Sequence, residues 1–301
     1  MMKLLQFLYH TAPGRLLLKP LVGRRLSAFC GRMLDRKLSR ILIPGFIRRT
    51  GISVEDFDLS GVRSFNDFFC RPLKDGKRPI DTTPEALIAP CDAALTAVPV
   101  RRDTVIAVKQ SRWTLCSLLR DPVLAKEFEG GLCLIFRLQV ADYHRYCWFD
   151  SGQKGRNVFL PGMLHTVRPI ALEDLPVFAL NSREYTVLES EHFGKAIQAE
   201  VGAMLVGRIA NICPEPAKVR RGEEKGHFEY GGSTILLLLK AGTAELRPEL
   251  SEASARGIEM PVRMGERIGR SMLPEACADR PRTARCRNDD QHTEEHMMVR
   301  E

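Results

Sequence analysis

The sequence predicts an α+β protein, with N-terminal amphipathic helices, a β-rich body and a disordered C-terminal tail. Three observations carry this. Residues 1–50 space apolar side chains three or four apart among basic ones. From about residue 85 the apolar residues gather into short Val-, Ile- and Leu-rich runs between Gly and Pro breaks. No regular strand–helix alternation and no GxGxxG turn after a strand points to a parallel α/β sheet. The 301 residues are 44% hydrophobic and 27% charged, enough chain for one or two domains with a sizeable core. That composition excludes collagen-like, coiled-coil and wholly disordered chains.

Charge separates the helical arm from the body. The chain has a formal charge of +8, yet residues 1–50 hold eleven Lys and Arg against one acid, Asp35. The remainder is close to neutral. Pro13, Pro20 and Pro44 divide the arm into short helices. No apolar run approaches the roughly 18–20 residues that span a bilayer. His10 and Arg15 interrupt the first apolar stretch, which argues against a secretory signal. Two readings of the arm stay open: helices lying in a membrane interface with their cations near anionic headgroups, or helices packed on the body with solvated charges. Nucleic-acid binding has no zinc-finger spacing or RNA-recognition aromatic signature behind it.

Residues 51–81 read as a linker followed by a short helix around Phe65–Phe69. Strands are expected at Thr104–Val108, Leu132–Val140, Arg183–Leu188, Ala196–Ile209 and Thr234–Lys240. Helices fit Ser111–Leu119, with Ser111 as N-cap, and Val123–Phe128. From about Ser271 apolar residues thin out and charges dominate, the composition of a disordered tail. The expected division is therefore 1–50, 51–270 and 271–301. Nine cysteines, an odd number with no CxxC pair, read as a reduced cytosolic chain without a disulfide framework or metal site.

Four separated segments stand out. They are Ala89–Ala93 (APCDA), Asp142–Cys147 (DYHRYC), Val201–Gly207 (VGAMLVG) and Phe228–Ile235 (FEYGGSTI). Each has an ordinary explanation alone: a turn aspartate, a structural histidine, a flexible Gly-Gly-Ser turn, a buried strand. Together and in this order they closely resemble the phosphatidylserine decarboxylase family of pyruvoyl-dependent enzymes. The resemblance also takes in Phe65–Ile80, Gly162–Pro169, Asn181–Tyr185 and Val262–Gly269, and covers about residues 1–270.

The resemblance implies that the protein cuts its own Gly232-Ser233 bond and turns Ser233 into a covalent pyruvoyl group. The local chemistry is reasonable. The Ser233 hydroxyl attacks the Gly232 carbonyl through a five-membered ring and converts an amide to an ester. A base takes the hydroxyl proton, and later removal of the Ser233 α-proton drives β-elimination. Dehydroalanine then hydrolyses to pyruvoyl and ammonia. Chains 1–232 and 233–301 would stay together as a heterodimer, with a further oligomer left open. By resemblance, the pyruvoyl carbonyl condenses with the amine of phosphatidylserine and accepts the electrons released with CO2. The product is phosphatidylethanolamine, no metal is required, and the enzyme would lie peripherally on an anionic membrane surface at the cytoplasmic side.

The same resemblance assigns catalytic roles to Ser233, to Asp92 as the aspartate of an Asp-His-Ser relay, and to His144 in substrate handling and decarboxylation. Two positions depart from the family pattern. Ala93 stands where Gly usually follows the aspartate, and Cys147 stands where many members carry the relay histidine. Three explanations compete for Cys147: His144 serves both steps, which is favoured; a Cys147 thiolate is the base; or self-cleavage is impaired. His165 and His227 are weaker candidates. A non-catalytic lipid-surface relative that has lost self-processing through Cys147 is the alternative function.

Overall fold

The computed structural model describes residues 2–101, 103, 105–108, 111–166, 176–203, 208–230 and 233–274. The arm forms helices Met2–His10, Ala12–Leu21, Arg24–Leu34 and Ile43–Thr50, with a 3-10 helix at Lys37–Leu42. Pro13 and Pro44 lie in first turns, where a missing N–H costs nothing, while Pro20 sits inside the last turn of its helix. Gly51, at a φ of 70°, stops the final helix in a left-handed conformation.

The arm packs partly on the body and partly faces outward. Leu8, Tyr9, Leu18 and Val22 are buried in the main core of the body. Ile43 and Phe46 join Val62, Phe65, Phe68 and Phe69 in a second apolar cluster, against which Tyr230 packs. Leu16, Leu17, Phe29, Leu38 and Ile41 nonetheless remain exposed, Leu38 by 86% and Ile41 by 83%. No helix among the described residues is long and apolar enough to cross a membrane.

The body is built on one antiparallel sheet. Its strands run in the order Ala217–Val219, Gly152–Lys154, Arg183–Ser190, Gly194–Val201, Ser233–Leu239, Leu132–Leu138, Ala93–Pro99 and Met260–Val262, with Val158–Leu160 also pairing Arg183–Ser190. Ser233–Leu239 is buried along its whole length between two neighbours, which explains its unbroken apolar run. A small sheet orders Ile209–Asn211, Glu224–Phe228 and Arg145–Cys147. Another joins Ala86–Ile88, Arg267–Ser271 and Ala244–Leu246. In the first of these small sheets Gly226 is required by contact: a Cβ there would lie 2.4 Å from the Ala210 carbonyl oxygen.

The expected long strands are present with shifted ends. The segment expected as one strand over Ala196–Ile209 is two, because pairing with Ser233–Leu239 ends at Val201 and a separate strand begins at Ile209. Ser111 is not a helix cap. Ser111–Thr114 pairs with Val105–Val108 as a hairpin, and Thr114 caps the helix Leu115–Leu119 through a reciprocal bond pair with Ser117. The second helix is Pro122–Lys126, capped by Asp121. The helix Pro248–Ala255 and several three-residue strands were not foreseen, since such short strands carry too few residues for a period. Ser271 closes a strand, and the rest of the expected tail from 275 lies outside the described residues.

A buried polar network ties the small sheet to the large one. Lys225 donates to Glu200 at 2.5 Å, and both are almost fully enclosed. Asn211 donates to Glu200 and Glu184 and accepts from the Tyr146 hydroxyl. The Gln198 amide donates to the Cys147 carbonyl oxygen at 3.1 Å. Lys225→Met leaves a buried carboxylate without its cation, so a loss of about 3–5 kcal/mol is expected in denaturant unfolding. A loss below about 1 kcal/mol would contradict this account of the network.

Candidate active site

Three segments converge here. The helix Phe65–Phe69 starts with a reciprocal Ser64–Asp67 cap and ends at Cys70. The strand Arg145–Cys147 follows directly on His144. Glu224–Phe228 runs antiparallel to it, with His227 opposite Arg145, and leads into the loop before Ser233. The Phe228 N–H donates to the His144 carbonyl oxygen at 2.9 Å, fixing His144 beside that loop.

Ser233 heads the central strand, opposite Leu138. Its side chain is fully buried, and its Oγ has no hydrogen-bond partner among the described residues. A buried hydroxyl without a partner costs free energy. Gly231 and Gly232, and residues 204–207 of the VGAMLVG segment, lie outside the described residues.

His144 is wholly buried against the Phe69 ring, with centroids 4.0 Å apart. Phe69 in turn meets Tyr230 edge-on at 5.2 Å. The His144 Nδ1 lies 2.9 Å from the Asp142 carbonyl oxygen. A carbonyl only accepts, so Nδ1 carries the hydrogen and Nε2 is the basic nitrogen of the neutral ring. The Asp142 carboxyl is raised to about 6, chiefly by burial.

Asp92 is held by an arginine. Arg78 grips the Asp92 carboxylate with Nε and Nη2, the shortest contact being 2.7 Å, and the Met264 N–H donates at 2.8 Å. Cys147 is buried, and burial first, then the negative charge of Asp92, pushes its thiol up to about 12. Burial thus makes Cys147 a poor thiolate base at neutral pH. The Cys147 N–H donates to the Pro90 carbonyl oxygen at 2.9 Å.

The other histidines separate clearly. His165 pairs with the Tyr9 hydroxyl at 3.3 Å and anchors the arm to the body. His227 lines a cavity of about 350 Å3 with Asn66, Cys70, Arg145 and Glu229. Burial, then Arg145 and Arg208, lowers it to about 4, so it is neutral at physiological pH. A second cavity of about 300 Å3 is lined by Arg78, Tyr143, Arg145, Cys147 and Met264. Sequence reasoning missed Arg78, Phe69 and Tyr230 as parts of this site, although all three lie inside segments it singled out.

Comparison with known proteins agrees with this geometry. The family model described as phosphatidylserine decarboxylase matches residues 65–270. The chain is 41% identical over 266 residues to phosphatidylserine decarboxylase proenzyme 2 of Clostridium acetobutylicum, covering 88% of this chain and 91% of that one. It is 38% identical over 272 residues to the proenzyme of Ruminiclostridium cellulolyticum, covering 89% and 91%. With the proenzyme of Desulfitobacterium hafniense the figure is 36% over 272 residues, again covering 89% and 91%. The match takes in the helix Phe65–Phe69, His144 and the strand headed by Ser233, and the chain belongs to the phosphatidylserine decarboxylase family.

Proposed function

We propose that this chain is a self-processing phosphatidylserine decarboxylase that converts phosphatidylserine to phosphatidylethanolamine. The observation that carries the reading is Ser233: a fully buried, unpartnered hydroxyl at the head of the central strand, directly after Gly232. The residues fit a pyruvoyl group formed there. Ser233, fully buried at the head of a strand paired on both sides, would hold the group covalently in a fixed position. When present, the group supplies an electron sink for the bond broken to CO2.

The protein's own residues do the rest. His144, with Nδ1 tied to Asp142, offers Nε2 to take the Ser233 hydroxyl proton while that oxygen attacks the Gly232 carbonyl. The same nitrogen, once protonated, can return a proton to the carbon left by CO2. Two steps through one imidazole replace the divided labour implied by a second histidine, because the Cys147 thiol stays protonated. Asp92 then acts as a structural clamp with Arg78 near Cys147. The chain keeps both Ser233 and His144, so Cys147 gives no reason to prefer a non-catalytic relative. Release of CO2 from carboxyl-labelled phosphatidylserine, with phosphatidylethanolamine in equal amount, tests the activity; its absence from the cleaved protein would contradict it.

The lipid is reached, on this reading, by the arm lying peripherally on the anionic cytoplasmic leaflet. Exposed Leu38 and Ile41 flank Arg40, with Arg36 and Lys37 alongside. Such a surface suits the boundary between headgroups and acyl chains. Burying each aliphatic side chain is worth roughly 1.5–3 kcal/mol. Leu38→Ser with Ile41→Ser is therefore expected to weaken co-sedimentation with phosphatidylserine vesicles about 100-fold, without altering self-cleavage. Unchanged vesicle binding would remove the arm from the docking surface.

A further inference from the structure

Among the described residues two arginines are fully buried, and they differ greatly in character. Arg183 is saturated: its guanidinium donates to the carbonyl oxygens of Leu118, Ala179, Asn181 and Ser117. That is what an arginine used as a structural staple looks like. Arg71 is 1% exposed, yet only Nη1 is engaged, with the Phe68 and Phe69 carbonyls at 3.2 and 3.4 Å. Its Nε and Nη2 have no hydrogen-bond partner among the described residues. It forms no ion pair there either, whereas Arg78, Arg145 and Arg208 nearby each hold a carboxylate. A buried cation lacking a counter-ion is among the most costly arrangements a fold can keep.

The location is informative. The guanidinium is sandwiched between Phe57, 4.1 Å away, and Phe68, 5.0 Å away. The surroundings adjoin the proposed reaction centre. Phe57 packs on Tyr143, and the Phe69 whose carbonyl Arg71 holds packs on His144. The chain neighbours Cys70 and Pro72 line the larger cavity, and Pro72 with Tyr143 lines the smaller. Two free, coplanar N–H donors on one edge of a guanidinium match two oxygens of a single oxyanion.

Accepting the decarboxylase reading, on which this step rests, we propose that Arg71 anchors the phosphodiester of the lipid headgroup. The headgroup offers two oxyanions, and the chemistry chooses between them. The carboxylate loses its charge as CO2 leaves, so an arginine held on it would stabilise the ground state more than the transition state and slow the reaction. The phosphodiester keeps its charge throughout. Binding it is uniform, and lowers KM without opposing kcat. Burial lowers the Arg71 pKa only to about 10, so the cation persists at neutral pH.

The test uses the processed enzyme and soluble short-chain phosphatidylserine. Wild type, Arg71→Gln and Arg71→Lys are first checked for cleavage by intact mass. A wild-type chain that stays whole would defeat the decarboxylase reading itself, separately from this proposal. Arg71→Gln is expected to raise KM at least about tenfold with kcat within about threefold, and Arg71→Lys to fall between. Inhibition by glycerophosphoserine should weaken in parallel, while inhibition by free serine stays unchanged. An unchanged KM, a fall in kcat alone, or equal loss of both inhibitors, which would place the carboxylate on Arg71, overturns the proposal. So does failure of both variants to fold, which would make Arg71 a staple of its helix. Should Arg71→Gln fold but stay uncleaved, its affinity for glycerophosphoserine is compared calorimetrically with that of uncleaved Ser233→Ala, and equal affinity overturns it as well.

Discussion

Ser233→Ala is expected to leave one 301-residue chain and to abolish decarboxylation. The methyl group fits the buried position, because the hydroxyl it replaces holds no hydrogen bond among the described residues. The fold should therefore survive, with unfolding free energy equal to wild type or slightly higher, since an unpartnered buried hydroxyl is removed. Activity is another matter. Loss of the covalent centre is expected to cost about 10^4–10^6 in turnover, the scale seen when a covalent catalytic group is deleted. Stability and activity should thus separate cleanly in this variant. If Ser233→Ala still splits into two chains, the processing site lies elsewhere.

His144→Ala should be the second large effect. If one imidazole serves both steps, its loss slows self-cleavage and removes the proton donor for decarboxylation, each by about 10^2–10^4. Cys147→Ala is the contrasting variant. Its thiol is protonated and points to no proton-transfer role, so cleavage should stay within about threefold of wild type. Time courses of chain splitting followed by mass or gel give both rates. A His144→Ala chain that cleaves at the normal rate, or a Cys147→Ala chain that does not cleave, would reverse the assignment.

The site was legible in the sequence where chemistry sits on contiguous motifs. Ser233 after two glycines, and His144 inside DYHRYC, could be singled out because rare residue types stand together in order. What those motifs touch was not legible. Arg78 reaches Asp92 from fourteen residues away, and the partner choice depends on side chains meeting in space. The link between arm and loop was equally hidden. Asp35, the arm's only acid, accepts from Asn66, and the Asn66 side-chain oxygen accepts from the Tyr230 N–H. The arm is thereby tied to the chain just ahead of Ser233. Charge counting marked the arm as basic, but gave no sign that its single carboxylate has this use.

The fold shows the same division. Long, mostly buried strands such as Leu132–Leu138 and Ser233–Leu239 declare themselves by composition. The hairpin Val105–Val108 with Ser111–Thr114 did not. Ser111 looks like a helix cap, and only pairing with Val108 shows that the strand continues through Thr114 before the helix begins. The arm's amphipathic pattern was visible, yet two of its helices contribute Leu8, Tyr9, Leu18 and Val22 to the core of the body. An apolar stripe records that a surface is to be covered, not by what.

Intact-mass analysis of the purified wild-type protein, with and without a carbonyl-reactive hydrazide, bears most directly on the central claim. The account predicts two chains, 1–232 and 233–301, with the shorter one carrying a pyruvoyl N-terminus that takes up one hydrazide. A single uncut chain of 33.9 kDa that takes up no hydrazide would contradict it.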